Sequence, residues 1–309
     1  MSARCSLIVN GKSVRVSTGD TPVEAALAEG MIGPMQALHG TALLGQGPGP
    51  AVRRARARSR RPDALKTAPL SGRTIEPAEA RALPQASRKG SLSEVRVLSP
   101  HVVEAVVTLT KRIDLEPGHQ VAVSFEGLAP LTLAPTLRIA GTTELNELVF
   151  HLPRCERDGS LVEALAPRAA VKVKGPVGRG QYRPGGGRLV LVAAGTGFAP
   201  IWSIAHAARY IEPARELHLI VGARDALDLY MRDSLDWLRR TGVARLVLTA
   251  DRGRQRPPDV RPGPLTAHLP TLRATDVVHV AGCASTVGAV QVLAASVGAR
   301  CYPIPVDLG

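Results

Sequence analysis

Residues 191–200 read LVAAGTGFAP, and this stretch decides the fold of the C-terminal part of the chain. An apolar run ends in a GTG turn, and a sequence with helical spacing follows it. Glycines let a backbone approach a phosphate closely, and a helix N-terminus offers unpaired N–H groups and a positive dipole. The pattern is typical of the first strand–turn–helix of a nucleotide-binding domain. It predicts a pyrophosphate contact for Gly195, Thr196, Gly197 and Phe198.

Strands and helices alternate from residue 188 to the end of the chain. Continuous apolar strands separated by helices are typical of a parallel sheet that is covered on both faces. The sequence therefore predicts a doubly wound α/β domain, in which ligands bind beyond the carboxyl ends of the strands. Its strands are expected at 188–194, 217–223, 244–250, 275–282 and 300–306, and its helices at 199–211, 229–242 and 285–298.

The middle of the chain has a different pattern, in which short strands are separated by turn residues. This spacing is typical of a small antiparallel β-barrel. A short helix is expected to begin after Gly159. The barrel strands are predicted at 93–100, 102–110, 119–127, 135–141, 147–153 and 170–178.

The N-terminal part begins with a hairpin signal, CSLIV-NGK-SVRVS, at residues 5–17. A helix is predicted at 21–30, and the following Gly-, Pro-, Ala- and Arg-rich stretch is expected to form loops. We therefore expect a multidomain protein. Its predicted parts are a hairpin, helix and loop segment (1–90), a small antiparallel β-barrel (91–186) and a doubly wound α/β domain (187–309).

The net charge of +13 is unevenly distributed, because residues 1–90 contribute +8 of it. Much of the excess lies in VRRARARSRR at 52–61. Such a run can bind phosphates or an acidic partner, but it contains no aromatic residue on which bases could stack. A solvated segment is therefore favoured over nucleic-acid binding.

The sequence contains no apolar run long enough to span a bilayer. The N-terminus lacks the continuous apolar stretch of a secretory signal, so a cytoplasmic protein is expected. The four cysteines, Cys5, Cys155, Cys283 and Cys301, form no CxxC pair. Neither a zinc knuckle nor a disulfide framework is indicated.

Several motifs occur in the order in which the ferredoxin–NADP reductase family has them. DGSLVEAL (158–165) resembles the helix start that holds the flavin pyrophosphate, and LIVGARDALDLY (219–230) resembles the strand whose Gly-x-Arg tail lies near the nucleotide ribose. VVHVAGCASTVGAV (277–290) resembles the strand and glycine turn beside the nicotinamide. The resemblance implies that Gly159 and Ser160 hold the flavin phosphates, Arg224 lies near the ribose, and Gly282 and Cys283 lie near the nicotinamide.

The hairpin and helix at the N-terminus resemble the start of a plant-type [2Fe–2S] ferredoxin domain. The whole chain thus resembles the ferredoxin-fused reductase component of bacterial oxygenases. The resemblance implies that residues 1–90 are a degenerate ferredoxin-like segment, residues 91–186 an FAD-binding β-barrel and residues 187–309 an NAD(P)-binding α/β domain. That resemblance implies hydride transfer from NADH or NADPH to FAD, and electron transfer to an acceptor protein such as an oxygenase component or a ferredoxin.

Two departures from the family pattern bear on the cofactors. The cluster ligands are expected near Ala37, Ala42 and Gly45, but no cysteine occurs between Cys5 and Cys155, so we predict that a [2Fe–2S] cluster is absent. The flavin motif Arg-x-Tyr-Ser is also missing. Its place is taken by Pro135, Thr136, Leu137 and Arg138, of which Thr136, Leu137 and Arg138 are the candidate flavin-binding residues.

Some roles stay open at this stage. Arg138 is either a flavin contact or a structural arginine at the end of the barrel, and Cys283 is either functional or a small structural residue. Arg224 either meets the nucleotide or pairs with Asp225 or Asp228. The chain is predicted to be an NAD(P)H-dependent flavoprotein oxidoreductase. The alternative is a catalytically silent reductase homologue that acts as a binding or scaffold subunit.

Overall fold

A computed structural model describes residues 5–9, 12–16, 83–139, 142–154, 165–166, 168–252 and 256–306. The chain divides into two compact units, Met1–Ala68 and Pro69–Gly309. In the first unit, β1 (Cys5–Val9) and β2 (Lys12–Val16) pair in antiparallel fashion, which confirms the predicted hairpin. The helix predicted at 21–30 and the three expected cluster positions lie outside the described residues.

Six strands of the second unit form an antiparallel sheet in the order β6-β5-β8-β3-β4-β7. Thr136, which follows β6, makes an isolated bridge with Val149 of β7, and its N–H donates to the Val149 carbonyl at 2.8 Å. This bridge joins the two edges of the sheet and curls it as the predicted barrel requires. The strands are β3 (Ala86–Ser99), β4 (Val102–Leu109), β5 (Gln120–Phe125), β6 (Leu131–Leu133), β7 (Glu147–Pro153) and β8 (Ala170–Val177).

Side chains alternate between the two faces of this sheet. Val103 and Ala105 of β4 enter the apolar core of the barrel together with Phe150 of β7. Glu104 and His151 lie opposite each other in the register and belong to the other face. Both are nevertheless buried, so this outer face is covered by another part of the chain.

The C-terminal part contains a six-stranded parallel sheet in the order β12-β11-β10-β9-β13-β14. Because β10 and β13 flank β9 on opposite sides, the carboxyl end of β9 is the topological switch point, where ligands bind in such sheets. The strands are β9 (Leu189–Ala194), β10 (Leu217–Ala223), β11 (Arg245–Ala250), β12 (Val260–Pro262), β13 (Val277–Gly282) and β14 (Arg300–Pro305).

Three helices cover the parallel sheet: α1 (Phe198–Ile211), α2 (Arg232–Arg240) and α3 (Ala284–Ser296). One apolar cluster includes Ile201 and Ile204 of α1 and Leu235 of α2, and a second includes Val287 and Val290 of α3. The doubly wound prediction is therefore confirmed. In the part of the chain that the structure describes, no helix combines the length and the apolar character needed to cross a bilayer.

The structure corrects three details of the sequence prediction. Within residues 135–139, the described part of the strand predicted at 135–141, pairing is reduced to the single bridge at Thr136, since Pro135 supplies no N–H to a ladder. The helix predicted from residue 229 begins at Arg232, after a 3-10 turn at Ala226–Asp228. The three-residue strands β6 and β12 were not predicted, because their patterns are too short to show a period.

A buried ion pair joins the start of β9 to the start of β13. Arg188 donates to Asp276 at 2.6 and 3.2 Å, and the side chains are 5 % and 0 % exposed. Replacing Asp276 with alanine should lower the free energy of unfolding by about 3–5 kcal/mol, because it leaves a buried guanidinium unpaired. Urea denaturation followed by circular dichroism measures this loss.

Asp259→Ala is the matched control, because its pair with Arg232 is exposed and should contribute less than about 1 kcal/mol. Equal losses of unfolding free energy in the two variants would contradict the argument that burial makes the Arg188–Asp276 pair costlier to break.

Candidate functional site

The turn between β9 and α1 depends on two glycines, which expose its backbone. Gly195 has a φ of +55°, a left-handed conformation, and a Cβ added there would have no heavy atom of the described residues within 4 Å apart from its own chain neighbours. A Cβ on Gly197 would lie only 2.3 Å from the carbonyl oxygen of Ala281 on β13. Gly195 therefore faces open space, whereas Gly197 allows the turn to pack directly against β13. Thr196 between them is half-buried.

The starts of α1 and α3 are both suited to an anion. Within the described residues, neither helix has an acidic side chain in its first turn or a side chain that caps that turn. The uncapped N–H groups carry partial positive charge. Phe198, the first residue of α1, is fully buried, so any cofactor contact at this position would come from its backbone rather than its ring.

Gly282 and Cys283 lie beside the GTG turn, because β13 is next to β9 in the sheet. Gly282 has a φ of +150°, and a Cβ there would lie 2.7 Å from the Cβ of Ala194. The exposed Sγ of Cys283 is 3.2 Å from Ser285 Oγ and 3.3 Å from Thr286 Oγ1. These hydrogen bonds, the one to Ser285 first, lower the pKa of the Cys283 thiol.

Arg224 follows β10, on the opposite side of β9 from β13, and its side chain is exposed. The two carboxylates that could pair with it have other partners. Asp225 caps the following 3-10 turn, and Asp228 accepts from Ser99 at 3.1 Å and pairs with His101 at 3.0 Å. Among the described residues Arg224 therefore has no ion pair, which leaves its guanidinium available to a nucleotide.

The residues in place of the flavin motif have different environments. Thr136 is buried, and its Oγ1 has no hydrogen-bond partner among the described residues. Leu137 packs against the core of the α/β part. Arg138 pairs with Glu94 at 2.7 Å and Glu147 at 3.2 Å, and the bonds to Glu94 and then Glu147 raise the pKa of its guanidinium. Two carboxylates thus neutralise Arg138, which favours the structural alternative over a phosphate contact.

A polar cluster that the sequence analysis did not single out lies on the outer face of the barrel sheet. Glu104 accepts from Arg96 at 2.8 Å and from the Ile139 N–H at 3.2 Å. His151, opposite Glu104, is bonded through Nδ1 to the Tyr230 hydroxyl at 2.9 Å. Burial, and then the charge of Arg96, lowers the pKa of His151 to about 3, so its ring is neutral at pH 7.

The sequence indicates where His151 lies but not which residue it bonds to. In ELVFHLP the apolar residues Leu148, Phe150 and Leu152 alternate with His151, which places the histidine on the face opposite the core. Its partner Tyr230 lies 79 residues further along the chain, so no local pattern connects the two.

The described residues fit the two implied cofactors. The open space at Gly195 and the helix starts without acidic residues can accept a pyrophosphate. Thr136 Oγ1 is a buried atom without a hydrogen-bond partner among the described residues, and a heteroatom of a flavin ring can supply one. The predicted flavin-phosphate residues Gly159 and Ser160 lie outside the described residues.

Comparisons with known proteins agree with this geometry. Residues 191–270 match the model of the oxidoreductase NAD-binding domain family. A 77-residue segment is 42 % identical to the reductase subunit of an aromatic O-demethylase from Amycolatopsis sp., and covers 24 % of this chain and 23 % of that protein. A 157-residue segment is 32 % identical to reductase component 1 of a terephthalate 1,2-dioxygenase from Comamonas sp., and covers 48 % and 46 %. The matched part spans less than half the length of either relative.

Solved structures show the same fold over a longer range. The Amycolatopsis cytochrome P450 reductase GcoB aligns with a TM-score of 0.60 at 23 % identity, over 71 % of this chain and 69 % of that one. The ferredoxin reductase of carbazole 1,9a-dioxygenase aligns with a TM-score of 0.61 at 18 % identity, over 74 % and 71 %. These matches confirm the predicted combination of a curled antiparallel sheet and a parallel nucleotide-binding sheet.

Residues 191–270 are thus similar to an oxidoreductase NAD-binding domain, and relatives of this chain include proteins named as reductase components of bacterial dioxygenase systems. The predicted class, an NAD(P)H-dependent flavoprotein oxidoreductase, is supported by these matches. The expected ferredoxin-like domain at the N-terminus stays a prediction.

Replacing Gly195 with alanine should weaken dinucleotide binding. The methyl group would enter the open space that a pyrophosphate needs, and we expect the Kd for NADPH to rise about tenfold or more, which corresponds to roughly 1.4 kcal/mol. Fluorescence titration with NADPH measures the change.

Gly242→Ala is the matched control, because Gly242 also has a positive φ (+81°) and open space around it. The two variants carry a similar backbone strain of about 1–2 kcal/mol, so equal nucleotide affinities would count against a site at Gly195.

Cys283 should react with iodoacetamide faster than Cys301 at pH 8. The pKa of Cys283 is lowered and its side chain is exposed, whereas burial raises the pKa of Cys301 to about 11. Bound NADPH should slow only the reaction of Cys283, since this thiol lies beside the GTG turn. Peptide mass spectrometry separates the two sites. If NADPH binds and Cys283 reacts at an unchanged rate, the predicted nicotinamide contact is wrong.

Proposed function

We propose that this chain is an electron-transfer reductase that takes a hydride from NADH or NADPH onto FAD and passes electrons to an acceptor protein. The observation that carries the proposal is the GTG turn at the switch point of the parallel sheet, beside Gly282 on β13. Strand β7 of the curled sheet lies close to this turn, so the proposed dinucleotide and flavin sides of the site adjoin there.

On the dinucleotide side, the backbone provides the binding groups. Gly195 leaves room for the pyrophosphate, and the N–H groups at the start of α1 face it. Arg224 lies at the end of β10, where its free guanidinium can meet the ribose or a 2′-phosphate. Cys283 and Gly282 border the nicotinamide end, since β13 adjoins β9 on the other side.

On the flavin side, Thr136 offers its unpartnered Oγ1 to the ring, while Gly159 and Ser160 are the proposed phosphate contacts. FAD, when bound, supplies the redox chemistry, since it accepts a hydride and releases single electrons. The chain therefore needs no general acid or base. Its residues hold the two rings in place and exclude water from the space between them.

The acceptor is proposed to be an external protein. Relatives are named as reductase components of dioxygenase and O-demethylase systems, so an oxygenase component or a ferredoxin is the proposed partner. Because no cysteine occurs between Cys5 and Cys155, a cluster held by this chain is not expected to lie on the electron path. The rival function, a catalytically silent scaffold, is not favoured by these relatives.

The visible spectrum of the purified protein, recorded anaerobically with FAD and then NADPH, tests the function. We expect a bound-flavin spectrum that bleaches when NADPH is added. Gly195→Asp should still take up FAD but bleach far more slowly, because its carboxylate would repel the pyrophosphate at the open turn.

Gly242→Asp adds the same charge at another open, positive-φ glycine and should bleach like the wild type. A folded wild-type protein that takes up no FAD would reject the reductase function and restore the scaffold alternative.

A further inference from the structure

We infer that Tyr230 is a positioning residue that sets the spacing between the flavin side and the dinucleotide side of the site. The inference rests on the proposed function, because that spacing is the distance over which the hydride moves. Tyr230 belongs to the α/β part, follows the 3-10 turn after β10, and touches both halves of the site.

The first contact is with the barrel. Tyr230 and His151 share a hydrogen bond of 2.9 Å, and their rings meet edge to face with centroids 5.2 Å apart. His151 Nε2 lies 3.9 Å from the Glu104 carboxylate, which favours the tautomer with its proton on Nε2. Nδ1 is then the acceptor, and the Tyr230 hydroxyl donates to it. The direction of this bond is therefore set from the barrel side.

His151 is in turn fixed to the segment that replaces the flavin motif. Val149, two residues earlier on β7, makes the bridge with Thr136 at one end of that segment. Glu104, opposite His151, accepts the N–H of Ile139 at the other end. Any shift of His151 along β7 is thereby resisted at both ends of residues 136–139.

The second contact is with the dinucleotide turn. The ring of Phe198 meets the ring of Tyr230 edge to face, with centroids 6.1 Å apart and planes at 88°. Phe198 directly follows the GTG turn and is fully buried, and it stacks on Trp202 of α1. Because Phe198 is packed on both sides, a displacement of Tyr230 is passed to the start of α1 and to the turn.

Tyr230 is thus one rigid link in a continuous series of contacts from the flavin segment to the pyrophosphate turn. Its hydroxyl matters because ring packing alone lets the two halves slide, whereas a directed hydrogen bond fixes their register. A misplacement of about 1 Å between reacting groups can cost on the order of a hundredfold in rate, so a modest slide is measurable.

A purely structural tyrosine offers a matched control in Tyr182. It packs in the same apolar cluster, and its hydroxyl also has a polar partner, Glu212. Glu212 follows the last residue of α1, whereas Tyr230 contacts the first one. Tyr182→Phe therefore removes a comparable hydroxyl at the far end of the same helix.

The test uses the full chain loaded with FAD and five variants: Tyr230→Phe, His151→Leu, His151→Asn, Tyr230→Phe with His151→Leu, and Tyr182→Phe. Four quantities are measured: the thermal midpoint, the Kd for FAD from flavin fluorescence, the visible circular dichroism of bound flavin, and the bleaching rate at saturating NADPH.

We expect Tyr230→Phe to slow bleaching about tenfold and to change the flavin dichroism, while the Kd for FAD changes less than about threefold. Tyr182→Phe should lower the thermal midpoint by about as much as Tyr230→Phe does, but it should not slow bleaching. His151→Asn keeps an acceptor oxygen near the position of Nδ1 and should bleach within about threefold of the wild type, unlike His151→Leu.

The double variant should be no slower than the slower single variant, because one bond is lost in every case. Three outcomes would each overturn the positioning role. In the first, the rate losses of the two single variants multiply in the double variant. In the others, Tyr182→Phe bleaches as slowly as Tyr230→Phe, or Tyr230→Phe bleaches at the wild-type rate. These outcomes leave the proposed function intact. A wild-type protein that binds FAD but does not bleach with NADPH would overturn the function and the positioning role together.

Discussion

The close approach of two backbones at the centre of the parallel sheet is the constraint on which the site depends. A side chain on Gly197 would strike the carbonyl of Ala281, and one on Gly282 would strike Ala194, so the two glycines lock the turn after β9 against the end of β13. This contact brings the starts of α1 and α3 to one edge of the sheet. It also leaves Gly195 facing open space. The suitability of this sheet edge for an anion thus follows from close backbone packing. Only glycine, which has no Cβ, permits that packing.

The two halves of the second unit are joined through a short segment after β10. Asp228 bonds to Ser99 and His101 of the barrel, and Tyr230, two residues later, bonds to His151. Because this segment directly follows Arg224, the part of the sheet nearest the proposed ribose position is also the part that holds the barrel. The proposed nucleotide contact of Arg224 and the contacts between the halves therefore lie in one loop, which would link the geometry of the flavin side to the binding of the dinucleotide.

The sequence predicts the fold best where a pattern is long and repeated. All five predicted strands of the parallel sheet form, and so do its three helices, because continuous apolar runs and helical spacing extend over many residues. The predicted strand at 135–141 is wrong over its described residues, 135–139, where Pro135 supplies no N–H to a ladder and Thr136 alone makes a bridge. The GTG turn could be identified because its function follows from local backbone chemistry. The pairs His151–Tyr230 and Arg138–Glu94 could not, since their members are brought together only by the tertiary fold.

The proposed dinucleotide side of the site is built from backbone groups, whereas the proposed flavin side is built from side chains. This difference explains why the sequence identifies the first side and not the second. The dinucleotide side consists of N–H groups, glycines and helix ends within one strand–turn–helix unit, so its sequence is constrained over a continuous stretch that a family model can match. The proposed flavin side depends on side chains from separate segments: Thr136 after β6, His151 on β7 and Tyr230 from the α/β part. A lost side chain there can be replaced from another segment, and Arg138 is instead neutralised by Glu94 and Glu147. A site built from side chains of several segments can lose a sequence motif and stay at the same position in the fold, because the fold sets the position and does not require particular residues there.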